Sequence, residues 1–127
     1  MPFARSGGGC PKWNLYDALG QPDRLLVQAF ELPDGTRNLS IARGQVSDAP
    51  IGQRPVIHAI ALGCDWAHAE KIVHADGLEG SRVQPVGIAC RLCEREDCAQ
   101  RAFPPLNRKL HMDMYQLRAS PYSFGGD

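Results

Sequence analysis

The residues of this chain best suited to chemistry are three cysteines within nine positions, Cys90, Cys93 and Cys98. A CxxC spacing such as that of Cys90 and Cys93 can direct two sulfurs to one point, and such thiolates commonly share a metal ion or an iron–sulfur cluster. A disulfide between two of the three would leave the third unpaired. The spacing therefore predicts a thiolate-ligated metal or cluster site. The alternative is buried or free thiols, because a lone cysteine packs as a small apolar side chain.

A closed site needs a fourth ligand, and the two remaining cysteines, Cys10 and Cys64, are the candidates. Cys10 follows a glycine run and precedes a proline, as ligands in ferredoxin-like sequences often do, and backbone N–H groups of its loop could donate to the sulfur. Cys64 follows an apolar run, where packing in the core is the more common role. We predict Cys10, with Cys64 as the alternative. The spacing does not separate zinc from an iron–sulfur cluster, since thiolate-only sites hold both.

Arginines surround the three thiols, at Arg91, Arg95 and Arg101. A negatively charged cluster needs compensating charge, and guanidinium groups bind phosphates in a bidentate manner, so all three are candidate ligand-binding residues. The alternative is that they pair with the acidic residues of 94–97 on a solvated face. Aromatic side chains could line a pocket for an acyl group, although such residues more often belong to the core. The aromatic candidates are Trp13, Trp66 and Phe103.

A second motif offers an enzymatic alternative. The pair His68 and Glu70, followed by Cys90 and Cys93, resembles the zinc deaminase signature, in which one His and two Cys hold zinc and the Glu transfers protons. However, Ala89 stands where the signature has proline, the gap between the two halves is short, and the other clustered cysteines would have no role. A deaminase is therefore the lesser alternative. A zinc-stapled interaction module without a small ligand is the third.

The composition limits the class of protein. The chain has 127 residues, a formal net charge of zero and 43% hydrophobic residues, which predicts one globular domain without the electrostatic footprint of a nucleic-acid-binding protein. No apolar run approaches the roughly 18 residues of a membrane helix, so we expect no membrane association and a cytoplasmic location. In that reducing compartment, clustered cysteines are more often metal ligands than disulfides. Residues 1–9 are expected to be a flexible segment, 10–124 the domain and 125–127 a tail.

The elements that must position the cysteines follow from the hydrophobic pattern. A short helix is predicted from Trp13 to Leu19, and then a hairpin of strands Leu25–Leu32 and Thr36–Val46. The most apolar run, Val56–Leu62, predicts a central strand in which His58 is a core residue. A helix from Trp66 to about His74 should follow, with Asp65 as its N-cap and with Trp66, Ala69 and Val73 facing inward.

The C-terminal third should carry the cysteine cluster. A short strand, Val86–Ala89, is expected to lead into Cys90, and Glu94–Ala102 is predicted to be helical, while Leu110–Leu117 could be a strand or a frayed helix. The sum is an α+β fold, a single small domain with a mainly antiparallel sheet of four to five strands and a few short helices. PAS and GAF sensor domains have this size and architecture, but the likeness of fold carries no function by itself.

Four segments together resemble one family of bacterial regulators. They are GCPKWN at 9–14, LGCD at 62–65, GIACRLCEREDCAQRAFPP at 87–105 and PY at 121–122. In these four segments, the chain is similar to the C-terminal domain of short-chain fatty acyl-CoA transcriptional regulators. The resemblance covers residues 9 to about 124, and its most specific part is the CRxCxRxxCxxRAFPP stretch.

The resemblance implies a non-enzymatic sensor domain that binds a short-chain acyl-CoA. Some members of the family carry a four-iron four-sulfur cluster near the acyl-CoA site. Full-length members place this domain after a helix-turn-helix domain and a metallopeptidase-like middle domain. Neither is in this chain, so we expect it to contact DNA only through an upstream helix-turn-helix domain. Whether it forms a homodimer stays open.

Overall fold

The computed structural model describes residues 9–78, 82–111, 114–115 and 122–124. Among them, no helix combines the length and the apolar character needed to cross a membrane. The elements are α1 (Asn14–Gly20), β1 (Leu25–Glu31), β2 (Arg37–Val46), β3 (Ile57–Asp65), β4 (Gln84–Pro85), β5 (Leu110–His111) and β6 (Ser123–Phe124), with 3₁₀ helices at Trp66–Lys71, Val73–Ala75 and Cys90–Leu92.

The chain divides into two compact units. The sheet unit is Trp13–Pro85, and the cysteine unit is made of the described residues of Met1–Lys12 and Val86–Asp127. The domain predicted over 10–124 is thus shared between two units. Residues 1–8 of the predicted flexible segment and the predicted tail, 125–127, lie outside the described residues.

The sheet unit is built on a mixed four-stranded sheet in the order β3-β2-β1-β4. The β1–β2 and β2–β3 pairs are antiparallel, and β4 is parallel to β1. The tight turn between β1 and β2 depends on Gly35, whose φ of 84° favours glycine, and the backbone N–H of Thr36 donates to Asp34 Oδ1 at 2.9 Å. The predicted α+β class with few short helices is confirmed. The likeness to PAS and GAF domains stays a prediction.

The helix α1, which was predicted on this segment, packs on one face of the sheet. Its buried side chains are Asn14 and Ala18. The Asn14 amide donates to the carbonyl oxygens of Leu26 at 3.2 Å and Ser40 at 3.1 Å, so it ties the helix to both β1 and β2. A Cβ atom at Gly44 would collide with the carbonyl oxygen of Ala18, so a glycine is needed for this close approach.

The opposite face of the sheet carries a small apolar core. Because the Ser40 hydroxyl donates to Asn14 Oδ1 on the α1 side, its neighbour Leu39 points the other way. Leu39 is buried together with Ala69 and Ala75, and the half-buried side chains packed against them are Val27, Cys64, Trp66, Ile72 and Leu78. Asp65 caps the first 3₁₀ helix as predicted, since its Oδ1 accepts from the backbone N–H of Ala67 at 2.9 Å.

Two predictions for the sheet unit are wrong. The strand β3 lies at an edge of the sheet and not at its centre, so His58 is exposed instead of buried in a core. The single helix predicted over 66–74 is two 3₁₀ helices, because Ile72 between them is extended, with φ −115° and ψ 117°. Val73, predicted to face inward, is 79% exposed as a result, whereas Ala69 is buried as expected.

The cysteine unit also differs from its predicted elements. The strand expected at Val86–Ala89 is reduced to one isolated bridge, between Ala89 and Gly9. No helix forms over 94–102, where the chain is irregular apart from a bend at 96 and a turn at 99–100. The physical reason is that the carbonyl oxygens of Cys93 and Arg95 accept hydrogen bonds from the Arg101 side chain. Of the segment left open between strand and helix, Leu110–His111 forms β5 with β6 as its partner, and parts of the remainder lie outside the described residues.

Candidate metal centre

Four of the five cysteines belong to the cysteine unit, and none of the five forms a disulfide. Cys10 and Cys90 are each only 6% exposed, and Cys93 and Cys98 are half-buried. Cys64 belongs to β3 of the sheet unit, where it is half-buried against the apolar core. The three clustered cysteines and Cys10 are thus in one unit.

Backbone pairing brings Cys10 to the cluster. The backbone N–H of Cys10 donates to the carbonyl oxygen of Ile88 at 3.1 Å, and Gly9 forms an antiparallel bridge with Ala89. Ala89 directly precedes Cys90. The N-terminal segment therefore runs alongside the residues that lead into the CxxC turn, although about eighty positions separate them in the sequence.

The electrostatics of Cys10 show that other thiols lie close to it. Burial raises the pKa of the Cys10 thiol, and the nearby sulfurs of Cys90 and Cys98 raise this pKa further. Backbone N–H groups of Gly87 and Lys12 donate to the Cys10 sulfur and act in the opposite direction. Such N–H donors are the kind that stabilise a thiolate when it binds a metal or a cluster.

Gly87 leaves the space that the Cys93 side chain occupies. A Cβ atom at this position would lie 3.1 Å from Sγ and 3.2 Å from Cβ of Cys93. The backbone N–H of the same residue donates to Cys10. One glycine therefore contacts both Cys10 and Cys93, and a larger residue would push Cys93 away.

Arg101 holds the CxxC turn from the inside of the unit. Its side chain is buried, with 4% of the residue exposed, and its Cζ lies 4.7 Å from the centre of the Phe124 ring. Both terminal nitrogens donate to backbone carbonyl oxygens, Nη1 to Cys90 at 3.0 Å and Phe103 at 3.2 Å, and Nη2 to Cys93 at 2.9 Å and Arg95 at 2.5 Å. A single guanidinium fork thus fixes both ends of the CxxC turn and puts a buried positive charge beside it.

The remaining predicted ligand-binding residues are divided between the units. In the cysteine unit, exposed Arg91 places its Cζ 4.9 Å from the centre of the Phe103 ring, and Arg95 is half-buried. In the sheet unit, Trp13 stacks on Phe30 at 5.7 Å between ring centres, and Trp66 packs against the apolar core. The burial of Arg101 and its bonds to carbonyls favour a positioning role over a contact with phosphate. For the others, ligand binding stays a prediction.

Two features of the site have no clear signal in the sequence. The position of Gly87 against Cys93 and the four carbonyl bonds of Arg101 both depend on the folded path of the chain. The sheet unit also contains a cavity of about 240 Å³, and none of the predicted site residues lines it. Its lining includes Asn14, Gln28 and Gln84. Gln28 Oε1 accepts from the backbone N–H of Asn14 at 3.0 Å, and Gln28 Nε2 donates to Gln84 Oε1 at 2.6 Å.

The donor set fits a thiolate-ligated group in its chemistry. Four cysteines satisfy the coordination of either a structural zinc ion or a four-iron four-sulfur cluster. Within the described part of the chain, no three His, Cys, Asp or Glu side chains surround one point as the ligands of a single ion do. A cluster binds each thiolate to a different iron atom, so its ligands do not need to meet at one point.

Comparisons with known proteins show the family to which this chain belongs. The chain matches the family model described as "Short-chain fatty acyl coenzyme A regulator, C-terminal" over residues 1–122. It is 41% identical over 126 residues to the HTH-type transcriptional regulator RamB of Mycobacterium tuberculosis, which covers 94% of this chain and 27% of that protein. It is 43% identical over 127 residues to the propionyl-CoA carboxylase regulator of Cereibacter sphaeroides, with 94% of this chain and 26% of that protein covered.

A solved structure shares the fold. It is described as a "Mycobacterium tuberculosis transcriptional regulator" and superposes with a TM-score of 0.84 at 37% identity, over 97% of this chain and 39% of that chain. This chain spans about a quarter of the length of the curated relatives that it matches. Those relatives are transcriptional regulators, which is consistent with the prediction of a regulatory domain that is not an enzyme. The predicted resemblance is confirmed, and the chain belongs to the short-chain fatty acyl-CoA regulator family, in which it matches the C-terminal domain.

Proposed function

We propose that this chain is the ligand-sensing domain of a bacterial transcriptional regulator, that it binds a short-chain acyl-CoA, and that its clustered thiolates hold a four-iron four-sulfur cluster. Cys10, Cys90, Cys93 and Cys98 would be the ligands. The observation that carries the proposal is that these four cysteines lie in one unit, with Cys10 close enough to Cys90 and Cys98 to affect its pKa. Zinc is the alternative occupant.

The choice of Cys10 over Cys64 as fourth ligand rests on its surroundings. The Cys10 sulfur accepts two backbone N–H bonds in the cysteine unit and lies beside two of the other thiols. Cys64 is part of β3 in the sheet unit and packs with apolar side chains. The first environment suits a thiolate, and the second suits a cysteine that acts as a small apolar residue.

The charge of the cysteine unit supports the proposal. Four thiolates give a cluster a net negative charge, which is costly to bury unless cations lie nearby. Arg101 supplies a buried cation that donates to the carbonyls of Cys90 and Cys93. A bound cluster would supply a redox-active centre whose oxidation state could be coupled to the affinity for the ligand.

Support for the acyl-CoA ligand comes from the family and from the surface beside the cysteines. The family description names a short-chain fatty acyl coenzyme A regulator, and one relative is a propionyl-CoA carboxylase regulator. Exposed Arg91, lying over the Phe103 ring, offers a guanidinium for a CoA phosphate and an aromatic surface next to it. In this proposal the domain works in the cytoplasm, and occupancy reaches DNA through the helix-turn-helix domain of a longer protein.

A thermal-shift titration of the anaerobically purified chain tests the ligand. Propionyl-CoA is expected to raise the melting temperature in a saturable manner, because a ligand at 100 times its dissociation constant adds about 2.7 kcal/mol. Arg91→Ala should weaken the shift, and Arg43→Ala is the matched control, since Arg43 is an exposed arginine of the sheet unit. The absence of a shift with any short-chain acyl-CoA would refute the sensor and leave the zinc-stapled module as the better hypothesis.

The deaminase alternative gains no support from the geometry. His68 and Glu70 are exposed residues of a 3₁₀ helix in the sheet unit, whereas Cys90 and Cys93 belong to the cysteine unit. The substitution Glu70→Gln separates the two functions. It should leave acyl-CoA binding and metal content unchanged if the chain is a sensor, and it should abolish turnover if the chain is a deaminase.

A further inference from the structure

The outer edge of strand β3 has no partner strand in the part of the chain that the structure describes. The sheet order places β3 last, so its only neighbour among the described strands is β2. Over the nine residues Ile57–Asp65, alternate backbone N–H and C=O groups therefore point away from the sheet. Such an edge is a template for pairing with another strand.

This edge lacks the features that usually prevent pairing. Natural proteins protect edge strands with lysines or other charges, prolines, bulges or very short strands. The run from Ile57 to Cys64 contains no Asp, Glu, Lys or Arg and no proline. Its register with β2 is continuous over all nine residues, without a bulge. The edge is long, regular and almost uncharged.

Apolar side chains next to this edge are left in solvent. Ile60 and Leu62 are 55% and 74% exposed. They lie two positions apart on one strand, so they share one face of the sheet. Leu25 of β1 lies on the same face of the sheet, because Leu25 and Ile60 are both directly opposite Arg43 of β2. Contiguous exposed apolar surface of this kind usually marks an interaction site.

We propose that β3 is a dimerisation edge, on which two copies of this chain pair antiparallel about a two-fold axis that passes between their Ala61 residues. This pairing would join the two sheets into one. It goes beyond the sensor function and does not depend on the thiolate site. The partner is a strand because the edge offers backbone donors and acceptors, and it is a second copy because the sequence of β3 is complementary to itself.

The register follows from this self-complementarity. With Ala61 opposite Ala61, each Ile60 lies opposite Leu62 of the second copy, so the most exposed apolar side chains cover one another on one face. Asp65, the single acidic residue of the strand, then lies opposite Ile57, and the two carboxylates are at opposite ends of the pair. A register centred on Gly63 would bring the carboxylates closer, and one centred on Ala59 would leave Leu62 without Ile60 opposite it.

Light scattering coupled to size exclusion tests the dimer. The intact chain is expected to elute with a molar mass twice 13.9 kDa at high concentration and to dissociate on dilution. Ile60→Lys and Leu62→Lys each place charges against the apolar cluster on both sides of the axis, so each should weaken dimerisation at least about 100-fold. Val73→Lys is the matched control, because Val73 is 79% exposed but lies outside the strand. Circular dichroism checks that each variant is folded.

Cysteine cross-linking tests the register and does not depend on the lysine variants. Residues directly opposite in an antiparallel pair have Cα atoms about 4.5–5.5 Å apart, within the range that a disulfide spans. Ala61→Cys should therefore form a covalent dimer on mild oxidation, above the background of the native thiols. Ile57→Cys should not, since its two copies lie at opposite ends of the pair. A monomer at every concentration, a dimer unaffected by both lysine variants, or equal cross-linking of the two cysteine variants would overturn the proposal.

Discussion

Replacing Arg101 with methionine tests whether one buried guanidinium holds the CxxC turn. Methionine keeps the apolar stem but removes the donors that serve four carbonyl oxygens. The carbonyl of Cys90 retains one bond, from the backbone N–H of Cys93 at 3.2 Å, and the others lose their charged donor. Hydrogen bonds to charged groups typically contribute about 1.5–3 kcal/mol each, so the loss of several should cost at least about 3 kcal/mol. We expect a loss of this order in the stability of the cysteine unit.

The two units carry separate reporters, which makes the assay specific. Both tryptophans, Trp13 and Trp66, lie in the sheet unit, so their fluorescence reports whether that unit stays folded. The buried thiols of Cys10 and Cys90 lie in the cysteine unit, and their labelling by a thiol reagent in the metal-free chain reports its opening. A loss of 3 kcal/mol or more corresponds to labelling about 100-fold faster or more.

The conservative variant and a matched control complete this test. Arg101→Lys keeps the charge but cannot span the same carbonyls with one ammonium group, so its labelling rate should lie between those of wild type and Arg101→Met. Arg91→Met removes an exposed guanidinium whose contact with an aromatic ring contributes about 1 kcal/mol at most. Its labelling should stay within about fivefold of wild type. If Arg101→Met labels at the wild-type rate while the fluorescence is unchanged, Arg101 does not hold the turn.

Three further substitutions address other parts of the structure. Gly87→Ala places a Cβ 3.1 Å from the Cys93 sulfur, so it should destabilise the cysteine unit by about 1–3 kcal/mol and lower the metal content per chain. Asn14→Ala leaves buried partners on β1 and β2 without hydrogen bonds and should lower the free energy of unfolding by about 2–4 kcal/mol, measured by urea and tryptophan fluorescence. The pKa of Asp34 is lowered from 3.8 by its hydrogen bonds to Thr36, so Asp34→Ala should lower stability at pH 7, and the difference from wild type should vanish as the pH falls below 3.8 through the folded-state pKa.

For each of these substitutions, one result would contradict the physical explanation of its expected effect. Gly20→Ala is the control for Gly87→Ala, because a Cβ at Gly20 meets no atom within 4 Å, and equal metal content in the two variants would show that the space at Gly87 is not needed. For Asn14→Ala, an unfolding free energy within 0.5 kcal/mol of wild type, the usual range of surface substitutions, would show that the bridge adds nothing. For Asp34→Ala, a difference from wild type that does not shrink as the pH falls from 7 to well below 3.8 would exclude the carboxylate as its source.

Local patterns in the sequence were enough to predict the hairpin and the first helix. The alternation in β1 and β2 and the turn residues around Gly35 are signals within a few positions, and so is the cap formed by Asp65. The position of β3 at an edge was not predictable in this way. An apolar run is the same whether strands lie on both sides of it or on one side. The exposure of Leu62 follows because no described strand pairs with the outer edge of β3.

In the candidate site, too, some features have local signals in the sequence and others depend on tertiary contacts. The CxxC spacing and the third cysteine are local signals, and the thiolate site that they predict stays a prediction. The environment of Cys10 depends on pairing with Ile88, across most of the length of the chain. The helix expected at 94–102 was overridden because Arg101 takes the carbonyl oxygens of Cys93 and Arg95, and no sequence pattern shows that an arginine will be buried.

Iron and sulfide analysis of anaerobically purified chain, together with its visible absorption spectrum, tests the central claim most directly. We predict about four irons per chain and visible absorption in the wild type and in Cys64→Ser, and the loss of both in Cys10→Ser and Cys98→Ser. Iron content and absorption that survive in Cys10→Ser but disappear in Cys64→Ser would contradict the assignment of ligands. A chain that takes up neither iron nor zinc under these conditions would contradict the thiolate centre itself.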